Sequence, residues 1–185
     1  MSLKGQHTKS DYINFDTATN KAKKLLSTKD RALGLYVIVS INSGLRCQDV
    51  LCLTWEQLRT DKIDIIEIKT GKNRTIKIND NIKNAINSFS ENLKGHIFVS
   101  QKKSIFTIQQ INRKLKVLFS NENKTLNIST HSLRKTFGRR VYENNNESEK
   151  ALIYLNELFN HSTLSTTRIY LGIRQEELDN IYLSL

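Results

Sequence analysis

The segment IDIIEIKTGKNRTIKI, residues 63–78, limits the folds available to this chain more than any other part of it. Two runs rich in β-branched residues flank a turn at Thr70–Asn73, which is the pattern of a β-hairpin. Most of the other residues have helical periodicity, and the one additional strand that we predict is short, near Ile97–Val99. We therefore expect a mainly helical α+β domain with one small antiparallel sheet.

Helical patterns account for most of the remaining sequence. Residues 16–43 predict two helices separated near Ser27–Asp30, and a glycine turn then leads into a short helix from Arg46 to Leu53. We expect one folded domain at residues 16–185, preceded by a flexible segment at 1–15. We interpret the first three residues of that segment as a tag remnant. Further helices are expected at 81–93, 107–119, 131–144, 149–158 and 174–184, with a short helix or turn at 165–171.

The charge of the chain indicates a polyanionic partner. The formal net charge is +11 and the pI is about 9.7. The basic residues are spread over several segments that have folded patterns, which favours a binding surface over a disordered basic arm. These segments are KTGKNRTIK at 69–77, QKK at 101–103, RKLK at 113–116 and RKTFGRR at 134–140.

Other features argue against metal, secretory and membrane proteins. Cys47 and Cys52 have no metal-binding or redox spacing, and we expect two buried, reduced thiols. Four histidines without clustered cysteine or acidic residues predict no metal site, and no cofactor is expected. The N-terminal residues lack the apolar core of a signal peptide, and the apolar run near 33–41 is too short to span a bilayer. We expect a soluble, cytoplasmic protein that does not bind membranes.

The segment STHSLRKTFGRR, residues 129–140, combines an apolar stripe with concentrated positive charge. Leu133, Phe137 and Val141 recur every four residues and predict a helix face that packs on a core. Gly138 costs helix stability, by about 1 kcal/mol relative to alanine, but it allows another backbone or a ligand to approach closely.

The beginning of the same helix has the features of an anion site. Ser129 or Thr130 is suited to cap the helix, where free backbone N–H groups attract negative charge. His131 and Arg134 lie one turn apart on a strip beside the apolar face. From these residues alone, a solvated basic helix and a phosphate site are equally good interpretations.

Four further positions carry reactive or charged side chains, and each also has an ordinary explanation. Arg46 follows the glycine turn in SGLRCQDVLCLTW, with Asp49 one turn later, as in many exposed ion pairs at helix starts. Lys69 lies in the predicted hairpin turn, where solvated lysines are common. His161 in LFNHSTLSTTRIYLG also fits a helix cap or a core position, and Tyr170 fits a half-buried aromatic residue.

Taken together, these residues resemble the catalytic domain of the tyrosine recombinase, or phage integrase, family. That domain has an arginine in a TGLR-like turn, a hairpin lysine, an H-x-x-R helix, a histidine or tryptophan, and a tyrosine nine residues later. The resemblance covers about residues 20–180, and the complete ordered set makes it specific. The matching motifs are SGLR with Arg46, IKTGK with Lys69, HSLR with His131 and Arg134, FNHS with His161, and TTRIYLG with Tyr170.

The resemblance implies a site-specific DNA recombinase, such as the integrase of a mobile element. Tyr170 would attack the scissile phosphate and form a 3′-phosphotyrosyl ester, which preserves the bond energy for rejoining without ATP. Arg46, Arg134 and His161 would hold the non-bridging oxygens, a role that a metal ion has in many nucleases.

The resemblance also implies roles in proton transfer. His131 would take the proton of Tyr170, because a free tyrosine has a pKa near 10. Lys69 would protonate the leaving 5′-oxygen, with Lys72 in the same turn as the alternative. Asp49 would support the site without contacting the substrate.

A few positions depart from the family pattern. Asn160 replaces the glycine that often precedes the last histidine, but asparagine tolerates a left-handed backbone, so the turn can persist. Lys135 and Gly138 replace a histidine and an alanine that are common in the family. The polar stretch ENNNESEK at 143–150 predicts a longer loop than usual.

The expected partners are double-stranded DNA, further copies of the enzyme in a homo-tetramer on paired DNA sites, and an accessory directionality factor. Arg139 and Arg140 are expected to contact the DNA backbone or solvent. The helical core-binding domain that normally precedes the catalytic domain is missing, so we expect an excised domain or a truncated protein, monomeric in isolation. The C-terminal segment at 174–185 predicts a helix whose apolar residues pack either on its own domain or on a neighbouring protomer.

Two other functions remain as alternatives. A catalytically silent DNA-binding module would explain the charge, but a pure binder does not need Tyr170. A type IB topoisomerase uses related chemistry, although the order of motifs is closer to that of recombinases. A metal-dependent nuclease fits least well, because acidic ligands are not clustered.

Overall fold

The structure is a computed structural model that describes residues 10–185, except for the side chain at 174. The two strands, β1 (Lys62–Ile66) and β2 (Asn73–Lys77), form an antiparallel hairpin in which Ile63 pairs with Ile76. Helices precede and follow it, as expected for the predicted α+β fold. They are α1 (Phe15–Leu26), α2 (Arg31–Ser43), α3 (Cys47–Leu51), α4 (Trp55–Leu58), α5 (Asp80–Ile86), α6 (Ile108–Leu118), α7 (Thr130–Asn144), α8 (Glu149–Phe159), α9 (Leu164–Leu171) and α10 (Ile173–Leu183), with a 3₁₀ turn at Glu122–Lys124.

Two elements near the middle of the chain differ from the prediction. Helix α5 ends at Ile86 rather than near 93, because the serine- and asparagine-rich residues that follow form turns; Ser88 Oγ, for example, donates to the carbonyl of Ala85 at 2.7 Å. The strand expected near Ile97–Val99 is present only as isolated bridges, one of which joins Val99 to Ile105. The short capped helix α4 was not predicted.

The connection between α7 and α8 is confined to residues 145–148. Helix α7 continues to Asn144, and Ser148 caps α8 by accepting a hydrogen bond from the backbone of Ala151 at 3.3 Å. Asn146 and Glu147 adopt positive φ and close the turn. The helix ends agree with the helices predicted at 131–144 and 149–158.

Two apolar clusters form the interior, and α7 contacts both. The larger cluster surrounds α2, which is buried along almost its whole length and packs on α1, α5 and α7. The smaller cluster lies between α7, α8 and α9, around Leu155, Phe159 and Leu171. Leu133 belongs to the larger cluster, whereas Phe137 packs on the smaller one, so the predicted apolar stripe of α7 joins the two.

The chain before α1 is described only from residue 10 onward, and the tag remnant proposed at 1–3 lies outside this range. Ile13 is buried, and its N–H and C=O both form hydrogen bonds with the hydroxyl of Thr136, at 2.9 and 2.8 Å. This part of the predicted flexible segment is thus held against α7.

Two composition-based predictions are also addressed by the structure. Cys47 is partly buried, but Cys52 is exposed, so the expectation of two buried thiols is wrong for Cys52. Within residues 10–185, none of the helices combines the length and apolar character needed to cross a bilayer.

Candidate active site

The SGLR turn fixes Arg46 at the beginning of α3. Gly44 ends α2 with a φ of +61°, and a Cβ there would lie 2.3 Å from the ring of Phe137, so both conformation and space require glycine. Arg46 then donates from one terminal nitrogen to Glu67 at 2.6 Å and from the other to the carbonyl of Phe159 at 3.2 Å. Its side chain stays 20% exposed, which leaves part of the guanidinium group open to a ligand.

Helix α7 supplies a second arginine from the opposite direction. Ser129 caps this helix by accepting from the backbone of His131 at 3.2 Å, as predicted. Arg134 is buried, donates to the carbonyl of Gly44 at 2.6 Å, and lies 4.4 Å from the centroid of the Phe159 ring. Burial lowers the pKa of Arg134 to about 10, which shows that its charge is poorly compensated in this pocket.

His131 lies at the exposed edge of the site, on the first turn of α7. Partial burial lowers its pKa, and the positive charges of Arg134, Lys135, Lys69 and Arg46 lower it further. The imidazole is therefore neutral at pH 7, the state in which it can accept a proton.

The hairpin carries Lys69 in its turn. Both sides of this residue are held, because the N–H of Ile68 donates to Asp49 at 2.8 Å and the hydroxyl of Thr70 donates to Glu67 at 2.8 Å. The Lys69 side chain is exposed, and the structure gives it no hydrogen bond or ion pair within residues 10–185. Lys72, the alternative acid, is instead engaged by a hydrogen bond to the side chain of Asn160.

His161 is oriented by a network between α8 and α9. The turn before it survives without glycine, because Asn160 adopts the left-handed conformation with a φ of 54°. The Nδ1 atom of His161 lies 2.9 Å from the hydroxyl of Thr167, which donates to Asn156 at 3.0 Å. Asn156 in turn donates to the carbonyl of His161 at 3.1 Å. Burial and two nearby arginines lower the pKa of His161.

Tyr170 projects from α9 into the centre of this group. Its hydroxyl oxygen is buried yet makes no hydrogen bond of standard geometry with any described residue. Burial raises the pKa of Tyr170 to about 12, and the charges of Arg134 and Arg46 only partly oppose this effect. The centroid of the Tyr170 ring lies 5.1 Å from that of His161 and 5.0 Å from the ammonium group of Lys135.

Gly138 sets the distance between α7 and the helix that carries Tyr170. A Cβ at this position would lie 2.6 Å from Leu171 and 3.0 Å from Phe159. The close approach predicted at Gly138 is therefore made by side chains of the smaller apolar cluster, which hold α9 against α7.

The six predicted residues come close enough together to influence one another electrostatically. The electrostatic influence of Arg46 and Arg134 reaches His131, His161 and Tyr170 alike, and that of Lys69 reaches His131. A tyrosine hydroxyl within the electrostatic influence of two arginines is suited to attack a phosphoester, because the arginines can neutralise the charge that develops on phosphate oxygens.

Comparison with known proteins identifies the family of this chain. The sequence profile of the Phage integrase family matches residues 12–177. The chain belongs to the phage integrase family. It is 30% identical over 161 residues to the probable integrase/recombinase YoeC of Bacillus subtilis (strain 168), covering 84% of this chain and 86% of YoeC. It is 28% identical to tyrosine recombinase XerC of Caldanaerobacter subterraneus subsp. tengcongensis, covering 85% of this chain but 47% of XerC.

Solved structures show that the fold is also that of this integrase family. The crystal structure of XerA recombinase superposes with a TM-score of 0.68 at 19% identity, over 97% of this chain and 65% of XerA. The catalytic domain of bacteriophage HP1 integrase gives a TM-score of 0.60 at 21% identity, over 88% of both chains. The family and fold predicted from the six motif residues are thereby confirmed.

Several residues that shape this integrase-family site were not found by sequence reasoning. Glu67 binds Arg46, Lys135 covers the ring of Tyr170, and Asn156 with Thr167 orients His161. Lys135 was noted only as a departure from the family pattern. Glu67 and Asn156 belong to none of the quoted motifs, and Thr167 lies in TTRIYLG, where only Tyr170 was assigned a role. Folding of the chain brings these residues to their partners.

One prediction for α7 is wrong. Arg139 was expected to contact DNA or solvent, but it is buried, lies 2.7 Å from Glu176 and 3.7 Å from Glu143, and covers the ring of Tyr12 at 4.7 Å. Its positive charge is therefore used to attach α10 to the domain. Arg140 is partly buried and lies over Phe15.

The attachment of α10 leaves its apolar residues uncovered. Ile173 is buried at the start of the helix, and Glu177 pairs with Arg168 of α9. By contrast, Leu178, Ile181 and Tyr182 are 40%, 58% and 75% exposed. Packing of this face on its own domain, one of the two alternatives, is absent from the described structure.

Proposed function

We propose that this protein is a site-specific DNA recombinase of a mobile element, whose catalytic domain comprises residues 16–185 and which acts on DNA in the cytoplasm. The observation that carries the proposal is the buried hydroxyl of Tyr170, which makes no hydrogen bond of standard geometry with a described residue and is under the electrostatic influence of Arg134. A buried tyrosine normally finds a hydrogen-bond partner, so an orphaned hydroxyl among cations indicates that its partner is a substrate. Membership of the phage integrase family supports the same activity.

The reaction is a phosphoryl transfer to Tyr170. Its oxygen attacks the scissile phosphorus, the P–O bond to the 5′-oxygen breaks, and a 3′-phosphotyrosyl ester remains with a free 5′-hydroxyl. His131 receives the tyrosine proton and Lys69 supplies a proton to the leaving oxygen. A 5′-hydroxyl from another strand reverses these steps and reseals the DNA, so neither ATP nor a metal ion is required.

The charges of the site account for transition-state stabilisation. Arg46 and Arg134 hold two non-bridging oxygens from different sides. His161, whose Nδ1 is engaged with Thr167, donates a further hydrogen bond from Nε2 when the imidazole is protonated. The lowered pKa of Arg134 supports this role, because a poorly compensated cation gains most when a phosphate enters. The net charge of +11 supports binding to the backbone of double-stranded DNA around the site.

Assembly is the second part of the proposal. The exposed face of Leu178, Ile181 and Tyr182 docks on a neighbouring protomer when four copies assemble on paired DNA sites, while the isolated domain is monomeric. Because Glu177 joins α10 to the helix of Tyr170 through Arg168, docking is communicated to the nucleophile. An accessory protein that binds the assembly sets the direction of recombination.

A covalent trapping assay tests the proposal. Nicked duplexes from the ends of the host element are incubated with the protein in the presence of EDTA and analysed on a denaturing gel. We expect an SDS-resistant adduct that Tyr170→Phe abolishes. Binding without any adduct by the wild-type protein would favour a silent binding module, and relaxation of plasmids without a preferred site would favour a topoisomerase.

A further inference from the structure

Glu67, the residue directly after β1, joins three parts of the site that are far apart in sequence. It is buried, and its Oε2 atom accepts hydrogen bonds from Arg46 at 2.6 Å and from the hydroxyl of Thr70 at 2.8 Å. Its Oε1 atom accepts from Arg74 on β2 at 3.2 Å. One carboxylate thus contacts the SGLR turn, the Lys69 turn and the second strand of the hairpin.

Glu67 is ionised, and its negative charge lies between two positively charged side chains. Burial alone would raise its pKa, but hydrogen bonds from Thr70, Arg46 and Arg74 outweigh burial and lower the pKa, so the carboxylate is ionised at neutral pH. Arg46 and Arg74 are close enough for their charges to repel, since Arg46 lowers the pKa of Arg74. Glu67 separates the two guanidinium groups with a negative charge, one oxygen for each.

These contacts define the orientation of Arg46. A guanidinium group is a rigid plane with five N–H donors, so fixing two of them fixes the direction of the rest. Glu67 engages one terminal nitrogen and the carbonyl of Phe159 engages the other. The donors that remain are thereby held in one plane, and the charge of Arg46 acts on the Tyr170 hydroxyl.

The same residue closes the turn that carries Lys69. The backbone carbonyl of Glu67 accepts from Gly71 at 2.8 Å, and its N–H donates to Lys72 at 2.9 Å. Arg74, held by Glu67, also donates to the carbonyl of Ser43 at 2.9 Å and thereby ties the hairpin to the SGLR turn. The position of Lys69 relative to Arg46 therefore depends on Glu67.

We propose that Glu67 is a positioning residue for strand cleavage, which orients Arg46 toward the scissile phosphate and joins it to the hairpin of Lys69. This inference rests on the proposed function. It assigns Glu67 no contact with DNA, and it predicts that the loss of its charge slows the reaction through Arg46.

The test compares two variants on two substrates under single-turnover conditions. Glu67→Gln keeps the shape and removes the charge, while Glu157→Gln removes an equal charge from an exposed residue that lines the same surface cavity of about 560 Å³. The substrates are a nicked duplex with a normal scissile phosphate and one with a methylphosphonate there, which has lost the negative charge that Arg46 would neutralise.

We expect Glu67→Gln to slow cleavage of the normal duplex by about 10- to 100-fold, as for other residues that orient a reacting group, and Glu157→Gln to leave it unchanged. On the methylphosphonate the slowing by Glu67→Gln should shrink to less than about threefold. Glu67→Asp, which retains the charge, should recover part of the rate on the normal duplex.

Two results would overturn the inference. Cleavage by Glu67→Gln at or above the wild-type rate would mean that Glu67 competes with phosphate for Arg46. Equal slowing on both substrates would show general damage to the site. If Glu67→Gln fails to fold, the comparison is made with Glu67→Asp, and equal slowing then has the same meaning. Absence of any adduct with the wild-type protein would instead contradict the proposed function.

Discussion

The two ends of the candidate site are built in different ways. At one end Arg134 and the Tyr170 hydroxyl are buried between α7, α8 and α9, against the ring of Phe159. At the other end Lys69 stands in an exposed hairpin turn, where only its neighbours are held. Burial fixes the groups that meet phosphorus and its oxygens in the proposed reaction, at a cost in electrostatic energy. The exposed lysine keeps its freedom, so it can approach the leaving oxygen after DNA binds.

The largest effect is expected at the buried end. Arg134→Met should slow adduct formation by about 100-fold or more, because one of the two charges that stabilise the transition state is lost. The same change should leave the free energy of unfolding unchanged or raise it by roughly 1 kcal/mol, since a poorly compensated buried charge is replaced by an apolar chain. Single-turnover cleavage and urea unfolding measure the two quantities.

Arg139→Met is the matched control for this prediction, because Arg139 lies on the same helix and is also buried. In this variant the two carboxylates that pair with Arg139 lose their positive partner, so the free energy of unfolding should fall by about 1 kcal/mol. A large loss of stability in Arg134→Met would show that Arg134 is a structural residue, and the contrast between the two ends would fail.

At the exposed end, Lys69→Ala should slow only the protonation of the leaving 5′-oxygen. We expect cleavage of normal DNA to slow by about 10²- to 10⁴-fold, as for loss of a general acid, with the free energy of unfolding unchanged. DNA with sulfur at the 5′-bridging position should be cleaved at nearly the wild-type rate, because a thiolate leaves without a proton. Equal slowing on both substrates would exclude Lys69 as the acid. Lys72→Ala, in the same turn but bonded to Asn160, should have a much smaller effect.

The pH dependence of cleavage tests His131, which lies between the two ends. Its pKa is lowered, so the imidazole is neutral at pH 7 and gains a proton only as the pH falls. A protonated imidazole cannot accept the proton of Tyr170, so the single-turnover rate should decrease toward acidic pH. Protonation of His161 would have the opposite effect, because a cation holds phosphate more strongly. The decrease should be absent in His131→Gln, and its persistence there would remove His131 as the base.

The smallest effect on cleavage is expected from the exposed face of α10. Changing Leu178, Ile181 and Tyr182 together to serine keeps the ion pairs of Glu176 and Glu177, so cleavage of a single site should change by less than about twofold. Strand exchange between two sites should fall by about tenfold or more, because the docking face is lost. Unchanged strand exchange would show that this face has no role in assembly.

The sequence alone is sufficient to locate residues that belong to an ordered set of motifs, because each motif fixes the residue type at its position. Arg46 and Tyr170 belong to motifs that name them, and the hairpin of Lys69 follows from local alternation of side chains. The cap at Ser129 and the left-handed Asn160 also depend on neighbours only. These predictions use information that lies within a few positions of the residue concerned.

The structure was needed wherever a partner is distant in sequence. Arg139 has the composition of a DNA-contacting residue, but its partner Glu176 is 37 positions away and turns it inward. Glu67 meets Arg46 across 21 positions, and no spacing in the sequence indicates that contact. The exposure of Cys52 likewise depends on packing around a short helix, which composition cannot supply.

Mapping the covalent linkage tests the central claim most directly. The protein is trapped on a nicked duplex in the presence of EDTA, the adduct is digested with trypsin and nuclease, and the modified peptide is sequenced by mass spectrometry. We predict a nucleotide joined through its 3′-phosphate to Tyr170, with a free 5′-hydroxyl on the released strand. A linkage to another residue, or through a 5′-phosphate, would contradict the account.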